Sequence, residues 1–227
     1  MIVKPLIILD FDSTIIKDET LDKIALYKSN ISDKKKQEII NITNLAMEGK
    51  IEFSEALKKR INLLSINKSD IIKVSELLKY RLSDSFNKQT NYIRSNLDTI
   101  YIISGGFKEI IYNVVKDIGI KENHIYANEF LYDSYKKVIG VVKTNCMSCE
   151  NGKIKALENL DLKNGAYIIG DGYTDYQMRQ VKGVKAFICF TENITRSNVC
   201  EKADFVAPSF KSAFDFIYKS ESKNSIN

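Results

Sequence analysis

Leu6-Ile7-Ile8-Leu9-Asp10-Phe11-Asp12-Ser13-Thr14 is the stretch whose reading decides the fold of this chain. Four apolar residues run directly into two carboxylates one residue apart. The apolar run is too short for a helix that would bury it, and it reads as a strand covered on both faces. In open α/β sheets the ligand crevice lies just beyond the carboxyl ends of the strands. Asp10 and Asp12 therefore belong at the mouth of a sheet. Two acids this close repel unless a cation or a proton lies between them. A divalent metal with oxygen ligands, Mg2+ first, is the simplest remedy. Taken alone, the same residues also read as a strand end followed by an Asp-Ser-Thr turn.

Working outward, residues 18–82 carry a helical pattern with almost no strand signal. Asp18-Glu19-Thr20 marks one helix start, with acids where the helix dipole favours them. Ser32-Asp33 marks a second, residues 51–64 form a third, and Ser69-Asp70 opens a fourth. After this block the pattern changes. Residues 99–103 are β-rich and end in Ser104-Gly105-Gly106, a helix over 107–118 follows, and Gly119 ends it. Short strands fill 124–142, and 149–160 reads as helical. Residues 166–169 form a buried strand ending in Gly170-Asp171-Gly172, and 184–190 and 204–206 are further strands. A last helix carries Phe210, Phe214 and Ile217 on one face, and the tail from residue 219 to 227 reads as disordered. Strands alternating with helices imply an α/β fold with a doubly wound, Rossmann-like parallel sheet. The expected division is a core of residues 1–15 and 86–227, with 16–85 inserted as a helical cap.

Three strands thus end in polar clusters. Ser104 with free backbone N–H groups at a helix start can form an anion site, or the stretch is a plain strand-to-helix turn. Asp171 and Asp175 can complete a metal site, though Gly170-Asp171-Gly172 alone also reads as a turn. Lys153, at the start of a helix where the dipole disfavours a cation, is explained by a phosphate contact or by plain solvent exposure. On the helix from Ile51, Arg60 interrupts an apolar face made by Phe53, Leu57, Ile61 and Leu64. It reads either as a snorkelling arginine or as a bidentate clamp on a carboxylate. Glu19 serves the helix dipole or meets a substrate ammonium.

Asp-x-Asp-Ser-Thr, then Ser-Gly-Gly, then a lysine, then Gly-Asp-Gly-x-x-Asp, in that order along the chain, resembles the haloacid-dehalogenase-like superfamily of phosphotransferases. Asp18-Glu19-Thr-Leu-Asp22, the stretch from Met47 to Arg60, and Ile103-Ser-Gly-Gly-Phe107 resemble the phosphoserine phosphatase family within it. The resemblance implies Mg2+-dependent hydrolysis of L-phosphoserine to L-serine and phosphate, the last step of serine synthesis. It makes Asp10 the nucleophile, through an aspartyl-phosphate, and Asp12 the acid and then the base. It gives the metal to Asp10, the Asp12 carbonyl and Asp171, with Asp175 supporting that shell. It gives the phosphoryl oxygens to Ser104, the Gly105 N–H and Lys153, and sets Glu19, Phe53, Arg60 and Thr174 against the substrate. Thr174 stands where many relatives carry Asn, and residues 191–196 lack a close match. Both departures bear on the substrate more than on the chemistry, and another small phosphate monoester is the alternative. A receiver-like module phosphorylated on Asp is a reading of another class, against which the long helical insert and the first-strand acid pair argue.

The totals agree with a soluble enzyme. The chain has 227 residues, 44% hydrophobic, with a net charge of +5, enough for one good core with a small appended domain. A mild positive bias suits an anionic small metabolite as partner. No dense basic stretch points to nucleic acid, no run reaches membrane-spanning length, and the start has no signal-peptide pattern. Four cysteines, two of them in Cys146-Met147-Ser148-Cys149, read as free thiols in a reducing cytoplasm, with a zinc site as the alternative. His124, the single histidine, reads as structural.

Overall fold

The computed structural model describes residues 4–224. The first apolar run forms β1 (Leu6–Leu9), and a wide turn over Phe11–Ile15 follows it, closed by the Ile16 amide on the Phe11 carbonyl at 3.0 Å. The helices α1 (Thr20–Tyr27), α2 (Asp33–Met47), α3 (Phe53–Leu64), α4 (Lys68–Leu78), α5 (Asp84–Lys88) and α6 (Thr90–Arg94) come next. The chain then alternates β2 (Ile100–Phe107), α7 (Lys108–Val115) and β3 (Ile125–Asn128), adds the hairpin β4 (Phe130–Tyr132) and β5 (Val138–Val141), and continues through α8 (Gly152–Glu158) to β6 (Ala166–Gly170). Helix α9 (Tyr173–Gln177), β7 (Val184–Phe190), α10 (Ser197–Cys200), β8 (Phe205–Ala207) and α11 (Phe210–Asn224) complete it.

Six strands form one parallel sheet in the order β3-β2-β1-β6-β7-β8. The connections leave β1 in opposite directions, so the topological switch lies between β1 and β6, where open sheets of this kind bind ligands. Alternation along β1 sends Ile7 and Leu9 into one core and Ile8 into the other. The first core is closed by α7 and α11 through Ile110, Val114, Phe210 and Phe214, the second by α8 and α10 through Leu157 and Val199. A strand covered on both faces has no solvent side, which is why its sequence is continuously apolar.

The helical insert leaves and rejoins the sheet side by side. Ile16 bridges Leu82, the Lys17 amide donates to the Arg81 carbonyl at 2.8 Å, and the Ser83 amide donates to the Ile15 carbonyl at 2.9 Å. The hairpin holds its far end, with the Val138 amide on the Ile66 carbonyl at 2.9 Å and the Lys68 amide on Lys136 at 3.0 Å.

Several boundaries move, each for a local reason. Helix α4 starts at Lys68 rather than at Ser69-Asp70, because the Asn67 side chain accepts the Asp70 amide while the Asp70 carboxylate accepts the Asn67 amide, both at 3.0 Å. The helical reading of 149–160 shrinks to α8, because Asn151 adopts a left-handed φ of 57° and breaks the run. The expected disordered tail is a correction: α11 runs on to Asn224, and of that tail residues 225–227 lie outside the described chain. Its last turns are anchored where the Glu221 carboxylate accepts from the buried Tyr167 hydroxyl at 2.6 Å and from Lys185 at 2.7 Å. A chain ended after Tyr218 should therefore lose about 1–2 kcal/mol of stability through these charge-assisted bonds, read as a lower urea midpoint. An unchanged midpoint would show that the last turns contribute nothing.

Candidate active site

The acids gather where the topology changes direction. Asp10 continues β1, held by its own amide on the Ile169 carbonyl at 2.9 Å, and its Oδ1 accepts the Phe11 amide at 2.7 Å. Its Oδ2 lies 3.0 Å from Lys153 Nζ, and the same ammonium donates to Asp175 Oδ1 at 2.7 Å. Asp175 also accepts the Gly172 amide at 3.1 Å. Carboxylate oxygens of Asp10, Asp171 and Asp175 all come within 4.8 Å of one another, and all three residues are buried. A set of hard carboxylate oxygens at this spacing fits a small divalent cation.

Asp12 stands apart from this triad. Its Oδ1 accepts both the amide and the hydroxyl of Thr20, while its Oδ2 is directed toward Gly106. Burial, with the Asp10 charge adding to it, raises the Asp12 carboxyl to about 7 against the opposing Thr20 bonds. The turn that carries it is strained at Ser13, which has a φ of 53° without being glycine. Ser13 is fixed there by its amide on the Asp18 carbonyl and by its hydroxyl, which donates to Glu19 at 2.8 Å.

The phosphate-binding candidates fall into place beside Asp10. Lys153 is buried rather than solvated. Burial works against its charge, yet Asp10 and Asp175 more than offset that and hold the ammonium above its ordinary range. Ser104 is buried inside β2, which runs on through Gly105 and Gly106 to Phe107 instead of stopping at Ile103, so the expected helix start lies only at Lys108. Ser104 accepts the Gly106 amide at 3.1 Å, and Asn128 donates to the Gly105 carbonyl at 2.9 Å. Gly105 is where the backbone must come close: a Cβ there would run into the Phe53 ring. Asp10, Asp12, Phe53, Arg60, Ser104, Gly105, Lys153 and Thr174 line one cavity. The Thr174 hydroxyl in it is buried and has no partner among the described residues, as expected of a group that bonds to something bound there.

Arg60 is 3% exposed and donates to Thr43 Oγ1 at 3.0 Å and to the Ala56 carbonyl at 3.4 Å. Thr43 in turn donates to Asp22 at 2.7 Å. The bland alternative of a snorkelling arginine does not hold, because the head group is enclosed with the stem. Glu19 is not among the residues lining the cavity. It faces Ser13 and, at 3.5 Å, Arg196 Nη2, and burial followed by the Asp12 and Asp171 charges raises its carboxyl well above the usual range.

The stretch 191–196, which lacks a close match to the family pattern by sequence, supplies two organising residues. Arg196 donates from Nε to Asp171 at 3.0 Å, and the Asn193 side chain donates to the Ser13 carbonyl at 3.0 Å and the Ser83 hydroxyl at 2.7 Å. The one usable signal was position: these residues follow β7, the neighbour of the strand that delivers Asp171. Thr20 carries no sequence signal beyond its place at a helix start, yet its amide and hydroxyl both donate to Asp12.

No family model matches the chain. Over 206 residues it is 30% identical to the chloroplastic phosphoserine phosphatase of Arabidopsis thaliana, a match spanning 89% of this chain and 68% of that one. It is 29% identical over 208 residues to the phosphoserine phosphatase of Methanocaldococcus jannaschii, covering 88% and 94% of the two chains. A crystal structure of a phosphoserine phosphohydrolase-like protein from Francisella tularensis subsp. tularensis SCHU S4 superposes with a TM-score of 0.83 at 31% identity, covering 95% of this chain and 100% of that one.

The acid triad yields a direct expectation. Adding Mg2+ should raise the melting temperature, since about a hundredfold excess over Kd adds ~2.7 kcal/mol to stability. Burial and the neighbouring charges raise the Asp171 and Asp175 carboxyls, so protons compete with the cation. The gain should therefore be larger near pH 8 than near about pH 5.5, and Asp171→Asn should abolish it. A shift that survives in that variant would place the cation elsewhere.

Proposed function

The chain belongs to the phosphoserine phosphatase family, and from that premise we propose that it hydrolyses L-phosphoserine to L-serine and phosphate with Asp10 as the nucleophile. The observation that carries this reading is the cavity in which Asp10, the Lys153 ammonium, the enclosed Arg60 and the unpartnered Thr174 hydroxyl meet.

Asp10 attacks phosphorus, forming an aspartyl-phosphate as the bond to the serine oxygen breaks. Asp12, raised to about 7 by burial, is a competent acid at neutral pH. It gives its proton to the leaving oxygen and later takes one from the water that opens the intermediate. Thr20 holds Asp12 in place for both transfers. Ser104, the Gly105 N–H and Lys153 hold the phosphoryl oxygens, so the developing charge meets donors already oriented. A divalent ion, Mg2+ in this proposal, would be held by Asp10, the Asp12 carbonyl and Asp171 with Asp175 in support, and would neutralise charge on the phosphoryl group. Arg60 takes the substrate carboxylate, with Thr43 keeping the guanidinium pointed. Thr174 offers its hydroxyl beside it, and Glu19 sets the charge near the substrate amine through Ser13 and Arg196.

A second reading, another small phosphate monoester, is favoured by one observation: Glu19 is engaged by Arg196 and stands outside the cavity lining. The discriminating measurement is kcat/KM on phosphoserine and on p-nitrophenyl phosphate. Arg60→Ala should cost about 2–5 kcal/mol on phosphoserine, or roughly 30- to several-thousand-fold, and little on the nitrophenyl ester, which has no carboxylate. Asp10→Asn should abolish both. Equal losses for Arg60→Ala on the two substrates would assign the arginine to holding the fold and reopen the question of substrate.

Residues 16–85 act in this proposal as a cap that excludes water during transfer. Amide exchange in α2 and α3 should slow when beryllofluoride and Mg2+ occupy the site. Unchanged exchange, with binding confirmed by calorimetry, would argue for a fixed roof.

A further inference from the structure

Two of the four cysteines lie together outside the machinery described above. Cys189 on β7 and Cys200 at the end of α10 are both unbridged, with their sulfurs 3.1 Å apart. Cys189 is buried in the second core, while Cys200 is partly exposed at its edge. A disulfide requires about 2.05 Å, so closing one asks for a shift of roughly an ångström. That shift would be felt at the site from two sides. Cys189 pairs in register with Gly170, the residue before Asp171. The amides of Val199 and Cys200 both donate to the Arg196 carbonyl, at 2.9 and 3.0 Å, so Cys200 and Arg196 belong to one hydrogen-bonded turn. The Arg196 guanidinium holds Asp171.

We propose that Cys189 and Cys200 form an oxidation site, a thiol pair that a peroxide converts into an intramolecular disulfide, and that this bond displaces Arg196 from Asp171. The sulfur of Cys200, the less buried residue of the pair, attacks hydrogen peroxide: an S–O bond forms, the O–O bond breaks, and one water leaves with the thiol proton, giving a sulfenic acid. The Cys189 sulfur then attacks that sulfur. An S–S bond forms, the S–O bond breaks, and a second water leaves with the Cys189 proton. Two thiols are oxidised and one peroxide is reduced to two waters. Cys149, exposed and in contact with the Ser148 hydroxyl, is the natural competitor for oxidant.

The test uses the full chain, alone and with Cys146→Ser and Cys149→Ser combined to remove that competition. After peroxide, alkylation and digestion, mass spectrometry should find the Cys189 and Cys200 peptides joined, with two hydrogens lost and dithiothreitol restoring both thiols. This readout is independent of any activity. Hydrolysis of p-nitrophenyl phosphate should fall at least about fivefold on oxidation, the low end of ordinary coupling between sites, and return on reduction. Cys200→Ser should keep the starting rate and be indifferent to peroxide. Absence of the cross-link at peroxide levels that fully oxidise Cys149 would overturn the proposal. So would a cross-link with an unchanged rate, or the same loss in Cys200→Ser.

Discussion

The structure depends on one electrostatic constraint: too many carboxyl groups share one water-poor space. Asp10, Asp12, Glu19, Asp22, Asp171 and Asp175 interact with one another, and burial raises the carboxyls of Asp12, Glu19, Asp22, Asp171 and Asp175. Against these six stand three buried cations, Arg60, Lys153 and Arg196. An unpaired buried charge is expensive, so each cation is shared. Lys153 serves Asp10 and Asp175, Arg196 serves Asp171 and Glu19, and Arg60 is drawn to Asp22 through Thr43. The negative excess that remains calls for protons or an added cation. That demand is what a phosphoryl-transfer site exploits, because the cation that settles the acids also settles the phosphate.

The sheet meets this constraint by bringing four strand ends to one place. β1 delivers Asp10, β2 delivers Ser104, β6 leads into Asp171, and β7 leads toward Arg196. Only neighbours across a switch point can converge in this way without long loops. The apolar continuity of β1 and β6 is therefore tied to the chemistry, since strands buried on both faces keep the acids' backbone rigid while the side chains stand at the rim.

How much of this was legible in the sequence depends on range. Asp10, Asp12, Lys153 and Asp171 announce themselves because each sits beside a junction between a regular element and a turn, and Ser104 because Ser-Gly-Gly breaks the apolar run of β2. The sheet follows from apolar runs that local periodicity exposes. Arg196, Asn193 and Thr43 left no such mark. They act through partners between 17 and 180 residues away, and nothing in their immediate neighbours distinguishes them from surface polar residues. The misread tail has the same cause. Residues from Lys219 on are strongly polar by sequence, and what orders them is Glu221 reaching Tyr167 and Lys185 across the fold. The shortened α8 differs in kind, since its limit was local and lay in a left-handed asparagine that composition does not reveal.

The contacts that roof the cavity have a common form. The Phe53 ring from the helical insert lies on Gly105 of the sheet, and the Tyr173 ring from the sheet side lies on Gly49 of the insert. In both, a side chain at the glycine would collide with the ring, so the surfaces meet flat rather than interlocked. Interdigitated cores resist separation because parting them opens cavities and strains rotamers. A ring resting on a glycine leaves no socket behind when it lifts; it exposes only one aromatic face to water. The insert's other ties to the sheet side are of a different kind: the paired crossings at Ile16 and Leu82, the hairpin's hydrogen bonds at Ile66 and Lys68, the ion pair of Lys68 with Glu109, the Asn113 amide on Glu76 at 2.9 Å, the Asn198 amide on the Glu48 carbonyl at 3.0 Å, and the packing of α4 on α7 in the shared core. Separating α4 from α7 would open the core, whereas lifting the two rings would not. In the proposed cap motion the ring contacts over the cavity are therefore the ones that part at least cost, with α4 staying seated.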